Sequence, residues 1–133
     1  MDVWLIYLWS LAGPFVLALV LRLLPLGILL EEVFKGVLVI WLAKSDRRAS
    51  LLAAMGVGLA YGFSELVLFS LNYWPVGMSL ASLRRLLLTI PMHGVTTMLW
   101  LLGIRKGKVW LGAAAALAIH LGFNSVVGSW LYF

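Results

Sequence analysis

Two adjacent glutamates, Glu31 and Glu32, stand in an otherwise apolar stretch with Lys35 one turn on, and Glu65, His93, His120 and Asn124 follow farther along the chain. Carboxylates and imidazoles are the side chains that take and return protons near neutral pH, so this set is where chemistry would reside. A pair of carboxylates suits general-base work on a water molecule, and two imidazoles with a carboxylate also make a ligand set for a divalent metal such as zinc, here Glu65, His93 and His120. Asn124 could orient a histidine or donate to an oxyanion. Each residue also has a plainer use. Carboxylates in a first helical turn favour the helix dipole, and Lys35 neutralises one of them. Glu65 could be the structural partner of Lys35 across helices, and a single histidine or asparagine in an apolar helix often only bonds a neighbouring helix.

Spacing groups these residues within helices. Glu31 and Glu32 are i,i+4 and i,i+3 neighbours of Lys35, and His120 and Asn124 are i,i+4. His93 shares a face with Thr89, Thr96 and Thr97. A row of small residues, Gly112, Ala116, His120, Asn124 and Gly128, would let another helix approach closely, and Gly58 and Gly62 precede Glu65 in the same manner.

The elements that hold them follow from composition. The 133 residues are 64% hydrophobic and 11% charged, with a mean hydropathy of +1.08. Soluble domains carry roughly 45–50% apolar and roughly 25% charged residues, so a water-soluble fold is excluded. The absence of cysteine excludes disulfides, thiolate zinc sites and a cysteine nucleophile. The net charge of +5 sits in short clusters between apolar runs, which reads as membrane topology rather than nucleic-acid binding. A spanning helix needs about 20 apolar residues. Five stretches qualify, Val3–Leu21, Gly27–Ala43, Ser50–Leu71, Leu86–Gly103 and Val109–Leu131, predicting an all-α polytopic bundle of five transmembrane helices in a single domain over residues 1–133. Asp2, where a positive flank would be expected, speaks against a cleavable signal peptide. Pro25 with Gly27, and Pro75 with Gly77, punctuate the connections, Arg22 closes the first span, and Pro91 inside the fourth is positioned to kink it.

Lys44, Arg47, Arg48, Arg105, Lys106 and Lys108 flank one side, against Arg22, Arg84 and Arg85 on the other, which predicts the N-terminus in the cytoplasm and the C-terminus outside. The connection Asn72–Arg85, with Tyr73, Trp74 and Met78, then lies outside as an interfacial segment or an extension of the fourth helix. The remaining Trp and Met residues read as lipid-facing or interfacial. At about 1.5 Å per residue, Glu31 and Glu32 lie roughly 6–8 Å below the outer surface, Glu65 roughly 9 Å, His93 and Asn124 roughly 10 Å, and His120 roughly 16 Å. One layer of the outer half of the bilayer collects them all.

In order along the chain, Glu31-Glu32-x-x-Lys35, Tyr61-x-x-x-Glu65, His93 and His120-x-x-x-Asn124 resemble the PrsW-type intramembrane proteases, relatives of the CAAX-processing and bacteriocin-protection membrane proteases. The family's motifs read Glu-Glu-x-x-Lys or Glu-Glu-x-x-x-Arg, Phe-x-x-x-Glu or Phe-x-x-x-His, a later His, and His-x-x-x-Asn or Asp. The resemblance covers residues 31–124. It implies an endopeptidase that hydrolyses a peptide bond near the outer face of the cytoplasmic membrane, with Glu31 or Glu32 activating water, Glu65 and His93 assisting, and His120 with Asn124 completing the water site and stabilising the oxyanion. The PrsW branch has been classed as metallopeptidases, whereas the CAAX-processing branch looks metal-independent; lacking a His-Glu-x-x-His arrangement, this chain is expected to require no cofactor. The implied substrate is a single-span membrane protein such as an anti-sigma factor, or a membrane peptide. Tyr61 stands where the family has Phe, and the chain is shorter than typical members, which leaves room for a homo-oligomer. Glu32→Gln is expected to abolish cleavage without loss of the fold. The rival reading is a small proton- or cation-coupled transporter or channel, since buried Glu, His and Lys also serve proton relays. A third is a scaffold without catalysis.

Overall fold

The computed structural model describes residues 2–21, 26–46, 48–73 and 80–129. Arg22, Pro25, Arg47, Trp74, Pro75, Gly77 and Met78, named above as flanks, breakers or interfacial residues, lie outside the described residues. The described chain is all α-helix: α1 Val3–Leu21, α2 Gly27–Ser45, α3 Leu51–Tyr73, α4 Leu80–Arg105 and α5 Val109–Ser129. Three of the helices contain stretches long and apolar enough to cross a membrane, Leu51–Leu71, Leu87–Arg105 and Val109–Val127. The apolar stretch Val3–Ala18 of α1 is shorter, and α2 carries Glu31, Glu32, Lys35 and Lys44. The bundle is a helical membrane-protein fold.

Local chemistry sets the boundaries. Asp46 closes α2, and its carboxylate accepts the Arg48 backbone N–H at 2.8 Å. Ser50 then caps α3 by accepting the Ala53 N–H at 3.0 Å. Between α4 and α5 the chain reverses at Gly107, whose φ of 65° only glycine adopts without strain. Its N–H bonds the Ile104 carbonyl and that of Lys108 bonds Gly103, the paired closure of a Schellman turn. Helix α4 begins at Leu80, six positions before Leu86, where the apolar span was drawn. The hydropathy signal stops at Arg84 and Arg85, but Leu, Ala and Arg are good helix formers, so the helix continues through them. Pro91 lies inside the continuous helix α4, and Pro14 lies inside α1.

Helices α3 and α4 pack closest. A Cβ at Gly58 would collide with the His93 carbonyl oxygen and the Thr97 hydroxyl, and one at Gly62 would lie 2.8 Å from Ile90 Cα. The α4–α5 contact has the same character, since a Cβ at Gly103 would lie 2.8 Å from Gly112 Cα. Close backbone approach through small residues is how helices associate where lipid is as apolar as the side chains. Helix α1 is tied to α3 by polar side chains on backbone carbonyls: Tyr7 to Ala53 at 3.2 Å, Ser10 to Val57 at 2.5 Å, and Ser64 of α3 to Leu11. Among the described residues α5 packs on α4 and α2 but on neither α1 nor α3. An apolar core of Ile6, Leu38, Val39, Leu42, Ala54, Val57 and Leu101 fills the end of the bundle near Lys44 and Arg105. The opposite half holds the buried ionisable residues Glu32, Lys35, His93 and His120.

Candidate functional site

The Lys35 ammonium is the hub of a buried cluster. It is fully buried and donates to Glu32 Oε1 at 2.5 Å, His93 Nδ1 at 2.8 Å and Thr96 Oγ1 at 3.0 Å, which uses all three of its protons. Glu32, also buried, accepts a second bond at Oε1 from His120 Nδ1 at 2.7 Å and one at Oε2 from Trp100 Nε1 at 3.2 Å. Of the two glutamates it is therefore Glu32, at i,i+3, that pairs with Lys35. Among the described residues no buried side-chain nitrogen or oxygen lacks a hydrogen-bond partner.

This wiring fixes the histidine tautomers. An ammonium offers only donors, so His93 Nδ1 accepts from Lys35 and the ring proton sits on Nε2, where it donates to Glu65 Oε2 at 2.5 Å. A carboxylate only accepts, so His120 donates from Nδ1 to Glu32, and in the neutral ring Nε2 keeps its lone pair. That Nε2 lies 3.7 Å from Glu31 Oε2, too far for a direct hydrogen bond. The two imidazoles stand edge to face at 5.1 Å, and Tyr61 meets His93 in the same manner, also at 5.1 Å.

Above the cluster a cleft of about 160 Å³ opens between α1, α2 and α3. Pro14, Leu17 and Ala18 form one wall, Glu31 the second, and Tyr61, Glu65, Leu68 and Phe69 the third. Glu31 and Glu65 are the carboxylates that face it, with 16% and 32% of their side chains exposed, whereas Glu32 at 2% lies behind them. A chamber of this size, with two carboxylates, a free imidazole nitrogen behind one of them and apolar walls, has room for several water molecules.

Of the residues singled out in the sequence, Glu32, Lys35, Glu65, His93 and His120 form one hydrogen-bonded network, and Glu31 joins it at its edge. Asn124 does not. It is half-buried one turn after His120, makes no hydrogen bond among the described residues and does not line the cleft. Two further residues contribute that were not among the candidate site residues. Trp100 is buried rather than lipid-facing, with its indole pressed on Gly36, where a Cβ would lie 2.6 Å from the ring. It stands seven residues after His93 on the Thr96–Thr97 face, which is the signal that could have placed it. Trp4, Trp9, Trp41 and Trp110 are exposed, as expected. The second is Thr96, which accepts from Lys35 and donates to the His93 carbonyl at 3.1 Å.

Among the described residues, the three side chains whose ligand atoms come within 4.8 Å of one another are Glu31, His93 and His120, with Glu31 in the place given above to Glu65. They do not fit a metal as arranged. His93 has an ammonium at 2.8 Å on one nitrogen. Its other nitrogen is 2.5 Å from Glu65, closer than the roughly 3.3 Å between two ligands that each lie about 2.0–2.1 Å from a tetrahedral zinc. A proton fits between that pair, and a cation beside Lys35 would be repelled.

No protein-family model, curated protein or solved structure matches this chain.

Proposed function

We propose that the chain is an intramembrane endopeptidase that hydrolyses a peptide bond of a single-span membrane protein or membrane peptide, with Glu31 as the general base. The observation that carries this reading is the division between the two neighbouring glutamates. Glu32 is saturated by Lys35, His120 and Trp100, while Glu31 faces the cleft with no hydrogen bond of its own among the described residues. A water held by Glu31 in the cleft loses a proton to the carboxylate as its oxygen adds to the scissile carbonyl carbon. Glu31 returns that proton to the amide nitrogen as the C–N bond breaks, leaving a carboxylic acid and an amine. Glu65 borders the same cleft, and its hydrogen bond to His93 behind it holds it against the cluster. The resemblance of the motifs to PrsW-type proteases supports the same chemistry, and the geometry favours Glu31 over Glu32 as its base. No step needs a metal.

In this reading the chain resides in the cytoplasmic membrane as a multi-pass protein with its N-terminus inside, and the cleft lies in the outer half of the bilayer, where water can reach it. The test compares membrane-protein N-termini in cells expressing the wild type and Glu31→Gln at equal levels. New termini near the outer ends of single-span proteins, present only with the wild type, are the expected result. Identical profiles, with proton or cation flux in proteoliposomes that depends on Glu65 and His120, would replace the protease with the transporter.

A further inference from the structure

The cleft confronts two carboxylates, yet a peptide carbonyl attacked by water becomes an oxyanion, which carboxylates repel and which needs a hydrogen-bond donor close by. The family resemblance gives that role to His120 with Asn124, and neither lines the cleft. Of the side chains that do line it, Glu31 and Glu65 are acceptors when ionised, and Pro14, Leu17, Ala18, Leu68 and Phe69 are apolar. The remaining one is Tyr61. Its residue is only 1% exposed, and its hydroxyl has no hydrogen-bond partner among the described residues, although no buried side-chain oxygen there is left unpartnered. Both facts hold only if the hydroxyl is the part of the residue that reaches the open cleft. The ring behind it is held on every side. His93 packs on it at 5.1 Å, Phe34 lies at 6.2 Å, the Lys35 ammonium sits 5.6 Å from its centroid, and a Cβ at Gly13 would lie 3.0 Å from its edge.

We infer that the Tyr61 hydroxyl is the oxyanion donor of this site, a role that the phenylalanine of the resembled motif cannot fill. This rests on the protease reading. When the water oxygen adds to the carbonyl carbon and Glu31 takes its proton, the carbonyl π electrons move to oxygen. That oxyanion accepts the Tyr61 O–H hydrogen bond, and Tyr61 keeps its proton throughout. When the C–N bond breaks, the electrons return from oxygen, the carbonyl re-forms, and Glu31 protonates the leaving nitrogen. A rigid ring suits the task, because a donor already aimed at the site costs no reorganisation as charge develops.

Tyr61→Phe is a clean probe. The ring and its packing stay, and the hydroxyl has no partner among the described residues to leave behind, so the unfolding midpoint in detergent should not move. The substrate is a synthetic single-span peptide carrying whichever site the wild-type chain cleaves in the N-terminus comparison, presented in proteoliposomes. Tyr61→Phe should lower kcat by about 10²–10³-fold, the usual effect of removing one oxyanion donor, and leave KM within about two-fold. Cleavage by Tyr61→Phe at the wild-type kcat, with Glu31→Gln inactive, overturns the Tyr61 role and leaves the protease reading standing. A rise in KM at unchanged kcat makes Tyr61 a substrate-binding group and overturns it too. If the wild type and Glu31→Gln give identical termini, the reading beneath the inference fails first.

Discussion

Glu31 and Glu32 are chemically identical neighbours, about 100° apart around one helix, and they belong to two different environments. On the inner side, Glu32, Lys35, Thr96 and Trp100 leave no donor or acceptor unpaired, and glycines at 36, 58 and 62 bring the helices close enough to close that network. On the cleft side, among the described residues, the Glu31 carboxylate has no hydrogen bond, Tyr61 has a free hydroxyl, and the Glu65 carboxylate has the single bond to His93. The contrast teaches that burial in a membrane bundle does not by itself mark a reagent. A satisfied buried charge is a fixture that orients others, and an unsatisfied one beside a cavity is available for chemistry.

Removing the fixture is expected to have the largest effect. Glu32→Gln leaves the Lys35 ammonium without its carboxylate in a fully buried position, and breaking such a pair from one side costs about 3–5 kcal/mol. Denaturation in mixed micelles should show that loss, together with loss of cleavage, which differs from the sequence-based expectation of an intact fold. A native-like midpoint for this variant would erase the distinction between the two environments.

Gly58→Ala comes next. The added methyl meets the His93 backbone carbonyl and the Thr97 hydroxyl, so α3 and α4 must part. Overpacking of this kind costs about 1–3 kcal/mol. It should also loosen the Lys35–His93 contact, and the His93 ring resonances in selectively labelled protein would report that shift.

The smallest effect belongs to Asn124→Ala. With no hydrogen bond lost among the described residues, its unfolding free energy should change by less than about 0.5 kcal/mol. Its loss of cleavage rate should be well below that of Tyr61→Phe. A loss equal to or greater than that of Tyr61→Phe would return the oxyanion role to α5.

Much of this arrangement is legible in the sequence. The helix count follows from hydropathy, and the convergence of Glu31, Glu32, Glu65, His93 and His120 follows from their depth in the drawn spans. What the sequence hides is direction at the level of single atoms. Spacing puts both Glu31 and Glu32 beside Lys35, and only the rotation of α2 against α4 and α5 decides which of them is enclosed. Trp100 reads as an interfacial aromatic because hydropathy weighs its ring and ignores its N–H, while the partner that seats it, Gly36, is on another helix. Tyr61 is visible as a departure from the motif, but the freedom of its hydroxyl depends on what α1 and α2 leave open above it.

The most direct test of the central claim measures cleavage and unfolding side by side for Glu31→Gln and Glu32→Gln. The account predicts a Glu31→Gln protein that is as stable as the wild type and cleaves nothing, beside a Glu32→Gln protein that is markedly destabilised. A Glu31→Gln protein that still cleaves, beside a stable and inactive Glu32→Gln, would contradict it and hand the base to the buried glutamate.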